Sequence, residues 1–135
     1  MSTYDTTYIL IPVYNDWESC SRLLREIDMA LYEKGRQAQV VIIDDGSVPD
    51  DGRPELPGNT QALKGLTVLR LATNLGHQRA IAVGLSWIAE QEVQLPVCII
   101  DGDGGDNPLH ISDLLSELEA HPQCAAVFAR RGKRT

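Results

Sequence analysis

The run Asp101-Gly102-Asp103-Gly104-Gly105-Asp106 places three carboxylates within six residues. Ionised carboxylates this close repel one another unless a cation lies between them. The intervening glycines let the backbone fold tightly, so side chains two residues apart can converge on one ion. Hard oxygen donors suit Mg²⁺ or Mn²⁺, and an incomplete set of protein carboxylates leaves coordination positions for phosphate oxygens and water. Asp101 and Asp103 are the expected metal pair. The competing reading is a solvated acidic turn, and the position directly after the apolar run Pro96-Val97-Cys98-Ile99-Ile100 favours the metal. An EF-hand loop starting at Asp101 would need Gly at its sixth position and Glu at its twelfth, but Asp106 and Ser112 stand there. A phosphotransfer receiver would carry its acidic pair after the first strand, whereas here the pair Asp44-Asp45 follows the second.

Three further clusters carry polar or turn-forming residues after apolar runs. In Asp44-Asp45-Gly46-Ser47 a carboxylate can accept hydrogen bonds from a base or ribose, or simply close an Asx turn. Pro12-Val13-Tyr14-Asn15 offers a ring against which a base could pack, although a lone Tyr there also serves structure. Thr73-Asn74-Leu75-Gly76-His77 opens a helical pattern with Gln78 and Arg79, where backbone N–H groups and the helix dipole favour an anion. No Gly-x-Gly-x-x-Gly follows the first strand and no Gly-Lys-Ser/Thr occurs, so neither a dinucleotide fold nor a P-loop is supported.

The elements that must position these clusters alternate. Tyr8–Val13 reads as a strand whose continuous hydrophobicity suits burial on both faces. Asn15 or Asp16 can cap a helix from about Trp17 to Lys34, with Leu23, Leu24, Ile27, Ala30 and Leu31 as its apolar stripe and Gly35 as its stop. Val40–Ile43 is a second strand, 48–65 a loop rich in Pro, Gly, Asp and Asn, and Leu66–Leu71 a third strand. Gly76 to about Glu90 is a helix with Ala80, Ile81, Val83, Gly84, Leu85 and Ile88 on its apolar face. Pro96–Ile100 is a fourth strand, Leu109–Ala120 a helix introduced by Asn107-Pro108, and Ala125–Phe128 a fifth strand. Strands alternating with helices imply a mainly parallel sheet with helices on both faces, joined by right-handed crossovers. In such α/β sheets ligands bind at the carboxyl ends of the strands, which is where all four clusters fall.

Length and composition narrow the function. The 135 residues form one domain, 1–135, with 43% hydrophobic and 5% aromatic residues, so the core is built from aliphatic side chains. A net charge of −7 argues against nucleic acid and anionic lipid as partners, and an anionic substrate would need a mediating cation. Cys20, Cys98 and Cys124 lack metal-ligand spacing, and Cys20 and Cys98 sit in apolar patterns as packed thiols. An odd cysteine count without a signal peptide points to the cytoplasm. No apolar run reaches the roughly 20 residues of a transmembrane helix.

Taken together, Ile11-Pro12-Val13-Tyr14-Asn15, Asp44-Asp45-Gly46-Ser47, Asn74-Leu75-Gly76-His77-Gln78 with Ala80 and Gly84, and Asp101-Gly102-Asp103 resemble the donor half of family 2 glycosyltransferases of the GT-A fold. The wording is most similar to the dolichol-phosphate mannosyltransferase-like branch, over about residues 8 to 134. The resemblance implies a nucleotide-diphosphate sugar (UDP- or GDP-sugar) as donor and a polyprenyl phosphate or a saccharide as acceptor. It implies a base lying against Pro12, Tyr14 and Asp45, a ribose near Asp103, and a metal held by Asp101 and Asp103 across the two phosphates. It places Asn15, Asp44, Asn74, His77 and Gly102 in the same binding rim. The closing Arg130-Arg131-Gly132-Lys133-Arg134 resembles the family's basic stretch, with Arg131 toward the diphosphate. The fold implied is the Rossmann-like nucleotide-sugar-binding half, expected to be truncated at the C-terminus, with activity at the cytoplasmic face of a membrane.

Two departures bear on this. Polyprenyl-phosphate branches often carry Asp-Ala-Asp-Leu-Gln, and here Gly105 stands where that Gln would add a ligand, leaving Asp106 as a substitute. Relatives also continue well past this length, so a non-catalytic nucleotide- and metal-binding fragment or partner subunit is the alternative to an inverting transferase. A sheet ending here would expose an apolar edge and invite self-association into a homo-oligomer.

Overall fold

The computed structural model describes residues 5–48, 58–102 and 107–129. Part of the expected 48–65 loop (49–57), Asp103 with Gly104, Gly105 and Asp106, and Arg131 with the basic stretch around it lie outside the described residues.

Four strands form one all-parallel sheet: β1 (Thr6–Val13), β2 (Gln37–Asp44), β3 (Leu63–Arg70) and β4 (Val97–Ile99), in the order β3-β2-β1-β4. Strand β1 takes the centre between β2 and β4, and every residue from Thr7 to Val13 is buried. Its register on β2 runs from Thr6 opposite Gln37 to Val13 opposite Asp44, so both strands end at one level.

Alternate side chains of β1 and β2 feed two separate cores, as the pleat requires. Ile9, Ile11, Val13, Ala38, Val40 and Ile42 pack with α1 (Trp17–Glu33), whose Cys20, Leu23, Leu24, Ile27 and Leu31 are buried, and with Ile111 and Leu115 of α3 (His110–Ala120). Tyr8, Leu10, Val41 and Ile43 face the other way, onto Ala80 and Ile88 of α2 (His77–Ala89). Helices therefore cover both faces, as expected. At Gly84 an added Cβ would lie 2.5 Å from Leu10 Cδ1 and 3.0 Å from Ile43 Cδ1, so the missing side chain is what brings α2 close to the sheet.

Local chemistry explains the element ends. Asp16 is the N-cap of α1, accepting from Ser19 N–H at 3.2 Å, and Gly35 follows the helix at φ 68°. Asn107 Oδ1 accepts from Leu109 N–H at 3.0 Å just before α3. Arg36, nearly buried, donates to Glu119 Oε1 at 2.8 Å and Ser116 Oγ at 3.2 Å and so ties α3 to the start of β2.

One expected element is absent. The expected strand Ala125–Phe128 does not form, and Phe128 is 87% exposed. An apolar run becomes a strand only when its N–H and C=O groups find a ladder. Here an apolar groove of about 580 Å³ separates residues 125–129 from β4. The strands also shift from their expected bounds: β2 and β3 begin three residues earlier, because pairing recruits Gln37 opposite Thr6 and Gly65 opposite Gln39. Conversely, β4 shortens to three residues, and Leu85 of α2 is 39% exposed rather than buried.

Candidate functional site

The strand order reverses at β1: the chain moves outward through β2 and β3, then returns to place β4 on the other side. The crevice between β1 and β4 is the switch point at which such sheets bind ligands. A cleft of about 380 Å³ opens there, lined by Pro12, Val13, Tyr14, Asp16, His77, Asp101 and Gly102.

The β1 wall is fixed through the end of β2. Asp45 N–H donates to Val13 C=O at 2.9 Å. Asn15 sits at φ 61°, a conformation Asn tolerates better than most residues, and its own N–H donates to Ser47 Oγ at 2.8 Å. Its side-chain oxygen accepts from Val48 N–H at 2.6 Å, while Ser47 N–H donates to Asp44 Oδ1 at 2.9 Å. Asn15 thus clasps two strand ends together and leaves Tyr14, 53% exposed, beside the cleft.

Both acids of the pair Asp44-Asp45 are buried and already engaged. Asp44 lies 3.9 Å from Arg70 Nε, and its carbonyl accepts from Leu71 N–H at 2.9 Å. Asp45 Oδ1 accepts from Leu75 N–H at 2.7 Å, and Oδ2 from Gly76 N–H at 3.1 Å and Asn74 Nδ2 at 3.2 Å. Asn74 Nδ2 also reaches the Asp45 carbonyl at 3.0 Å. Between them Gly46 is at φ 77°, and a Cβ there would meet Asn74 N at 2.5 Å, so backbone passes against backbone.

That contact sets the start of α2, where His77 Nε2 lies 3.0 Å from Asp101 Oδ1. The two side chains are 56% and 46% exposed, so both are accessible from the cleft. Gly102 is buried, and a Cβ on it would come within 2.9 Å of Val13 Cγ2 and 3.0 Å of the Pro12 carbonyl. Only glycine lets the strand-end acid follow β1 this closely. For a divalent cation the cleft offers the Asp101 and Asp16 carboxylates, of the right hard-oxygen type, and the His77 imidazole beside Asp101. Among the described residues no three His, Cys, Asp or Glu converge on one point.

The structure therefore brings together Pro12, Tyr14, His77, Asp101 and Gly102 of the expected site. Asn15, Asp44, Asp45 and Asn74 form the joined loops beside them and do not line the cleft. Asp16 lines the cleft as well as capping α1, a second role that its helix-capping position concealed. Burial and then the nearby Asp16 carboxylate push the Cys20 thiol up to about 12. Cys20 and Cys98 are buried free thiols, as their patterns predict, and Cys124 is exposed.

A parallel sheet covered on both faces, with an acid-bearing cleft at its switch point, defines a Rossmann-like α/β domain. The chain belongs to glycosyl transferase family 2, whose model matches residues 8–135. It is similar to undecaprenyl-phosphate 4-deoxy-4-formamido-L-arabinose transferases: 35% identical over 111 residues to that of Klebsiella pneumoniae strain 342, covering 82% of this chain and 33% of the relative. The counterpart in Klebsiella pneumoniae subsp. pneumoniae is 30% identical and that of Salmonella paratyphi B 26% identical, over the same shares. The chain thus spans about a third of the length of these curated relatives. No helix of the described residues is long and apolar enough to cross a membrane.

Proposed function

We propose that this domain holds a nucleotide-diphosphate sugar for an inverting transfer to a polyprenyl phosphate. The observation that carries the reading is the cleft itself, where Tyr14 and Pro12 face the Asp101 carboxylate across the switch point. Membership of the family and relatives named for undecaprenyl-phosphate transfer support it.

In this reading the base packs against Tyr14 and Pro12, and the diphosphate lies toward Asp101 and His77. Asp101 and Asp103 would hold Mg²⁺ or Mn²⁺, which would supply positive charge against the departing nucleoside diphosphate. The His77 imidazole, within reach of Asp101, donates to a phosphate oxygen when protonated. Arg131 adds positive charge to the same diphosphate. The acceptor phosphate oxygen forms its bond to the anomeric carbon as the bond to the diphosphate breaks, inverting that centre. Because that oxygen is already anionic, the cleft needs no general base. The lipid acceptor puts the reaction at the cytoplasmic face of a membrane.

Calorimetric titration with UDP, GDP and their sugars, with and without Mn²⁺, tests the reading. Metal-dependent binding of one nucleotide is expected, and Asp101→Ala or Asp103→Ala should remove it while leaving the circular dichroism spectrum unchanged. Unchanged affinity in both variants would refute the assigned metal pair. Binding without donor hydrolysis or transfer would identify the chain as a binding module.

A further inference from the structure

We infer that two copies of this chain close into a symmetric dimer by exchanging the segment Ala125–Phe128, which enters the apolar groove beside the partner's β4. The inference concerns a surface outside the donor cleft and stands whether or not the cleft binds a nucleotide. Its basis is a groove with the dimensions of one strand. A strand takes about 4.8 Å of sheet width, about 10 Å of layer thickness and about 3.3 Å of length per residue, roughly 160 Å³ in all. The groove of about 580 Å³ therefore admits about four residues, the length of Val97–Ile100 on one wall and of Ala125–Phe128 on the other.

Both walls are ready to pair. Among the described residues β4 is bonded to β1 alone. The Pro96 carbonyl accepts from Tyr8 N–H, and Ile100 N–H donates to the Leu10 carbonyl, so the even-numbered residues turn their backbone groups toward β1. By alternation Val97 and Ile99 turn theirs toward the groove. Opposite them, Ala125–Phe128 has the composition of a strand and no ladder. The turn after α3, where Cys124 N–H donates to the His121 carbonyl at 2.9 Å, holds this segment on the far wall. Ile99 is 45% exposed beside it, and α3 contributes Leu114 and Leu118 to the same groove.

A two-fold axis fills both grooves at once. Across the joined sheet the order is β4, the partner's 125–128, the first copy's 125–128, and the partner's β4. The two exchanged segments run antiparallel, and the exposed Phe128 ring leaves water for the apolar wall of the other copy. Each groove is filled by the other copy, so association stops at two. In the dilute monomer β4 has one neighbouring strand; in the dimer it gains a second, which braces the Asp101 wall of the cleft.

Sedimentation equilibrium of the 135-residue chain should show monomer and dimer and no larger species. A net charge of −7 on each copy opposes association, so added salt should strengthen it. Phe128→Asp should weaken the dimer about a hundredfold or more, since each dimer loses two buried rings. It should leave the urea midpoint of the dilute protein unchanged, because the ring is exposed in the monomer. Ile99→Lys, on the opposite wall, should weaken the dimer likewise; where it does not fold, Phe128→Asp decides alone. In deuterium exchange 97–100 and 125–129 should gain protection together as chain concentration rises. A chain that stays monomeric at its highest soluble concentration overturns the inference, and so does growth beyond two. A dimer that survives Phe128→Asp, or forms without protecting 97–100, places the interface on another face and overturns it too. Protection of 97–100 that is unchanged by dilution assigns the groove to the chain's own 125–128, which also rules out the exchange.

Discussion

Cys20 and Cys124 are the same residue type in opposite surroundings, and the difference can be measured. Cys124 is exposed and should react with a disulfide reagent at once, whereas Cys20 should react only on unfolding. The Cys20 thiol is raised from 9.0 to about 12 in the folded chain, first by burial and then by Asp16. Between those values the unfolded chain has lost a proton that the folded chain keeps. Stability from this group is therefore complete below about pH 9 and is lost as pH rises toward 12. Urea midpoints measured across that range should fall, and Cys20→Ala should flatten the fall. Residue types revealed part of the site in advance. Asp101, Gly102, His77, Pro12 and Tyr14 announce themselves by following apolar runs, and they do meet in one cleft. What residue types alone could not separate is an acid that faces the cleft from one that holds it together. Asp45 and Asp101 both follow strands, and only the fold shows one buried against backbone N–H groups and the other half-exposed.

At the scale of elements, hydrophobic period was informative wherever an element is buried on a continuous face. The α1 stripe of Leu23, Leu24, Ile27, Ala30 and Leu31 is buried as read. Ile27 is fully buried in the core shared with β1 and β2. Replacing it with Ala should cost about 2–5 kcal/mol, read from chemical denaturation, through lost transfer energy and the cavity left behind. The period misled where pairing decides. Ala125–Phe128 has the composition of a strand but no strand beside it, and Gln37 and Gly65 lack strand composition but acquire a ladder from their neighbours. Strand extent is a property of the pair, which a single segment of sequence does not contain.

At the scale of the whole molecule, the two walls of the cleft are not equally supported. The Pro12–Tyr14 wall extends from β1, which pairs over its full length with β2 and is sandwiched between two cores. The Asp101–Gly102 wall hangs from β4, which pairs through only three residues and borders the apolar groove on its far side. Unequal support should appear as unequal opening. In deuterium-exchange mass spectrometry the amides of 97–100 should exchange well before those of 8–11, with sub-global opening confined to the first segment. A ligand bridging both walls would slow the first segment far more than the second, so the nucleotide would stiffen the side of its own pocket that the protein leaves soft.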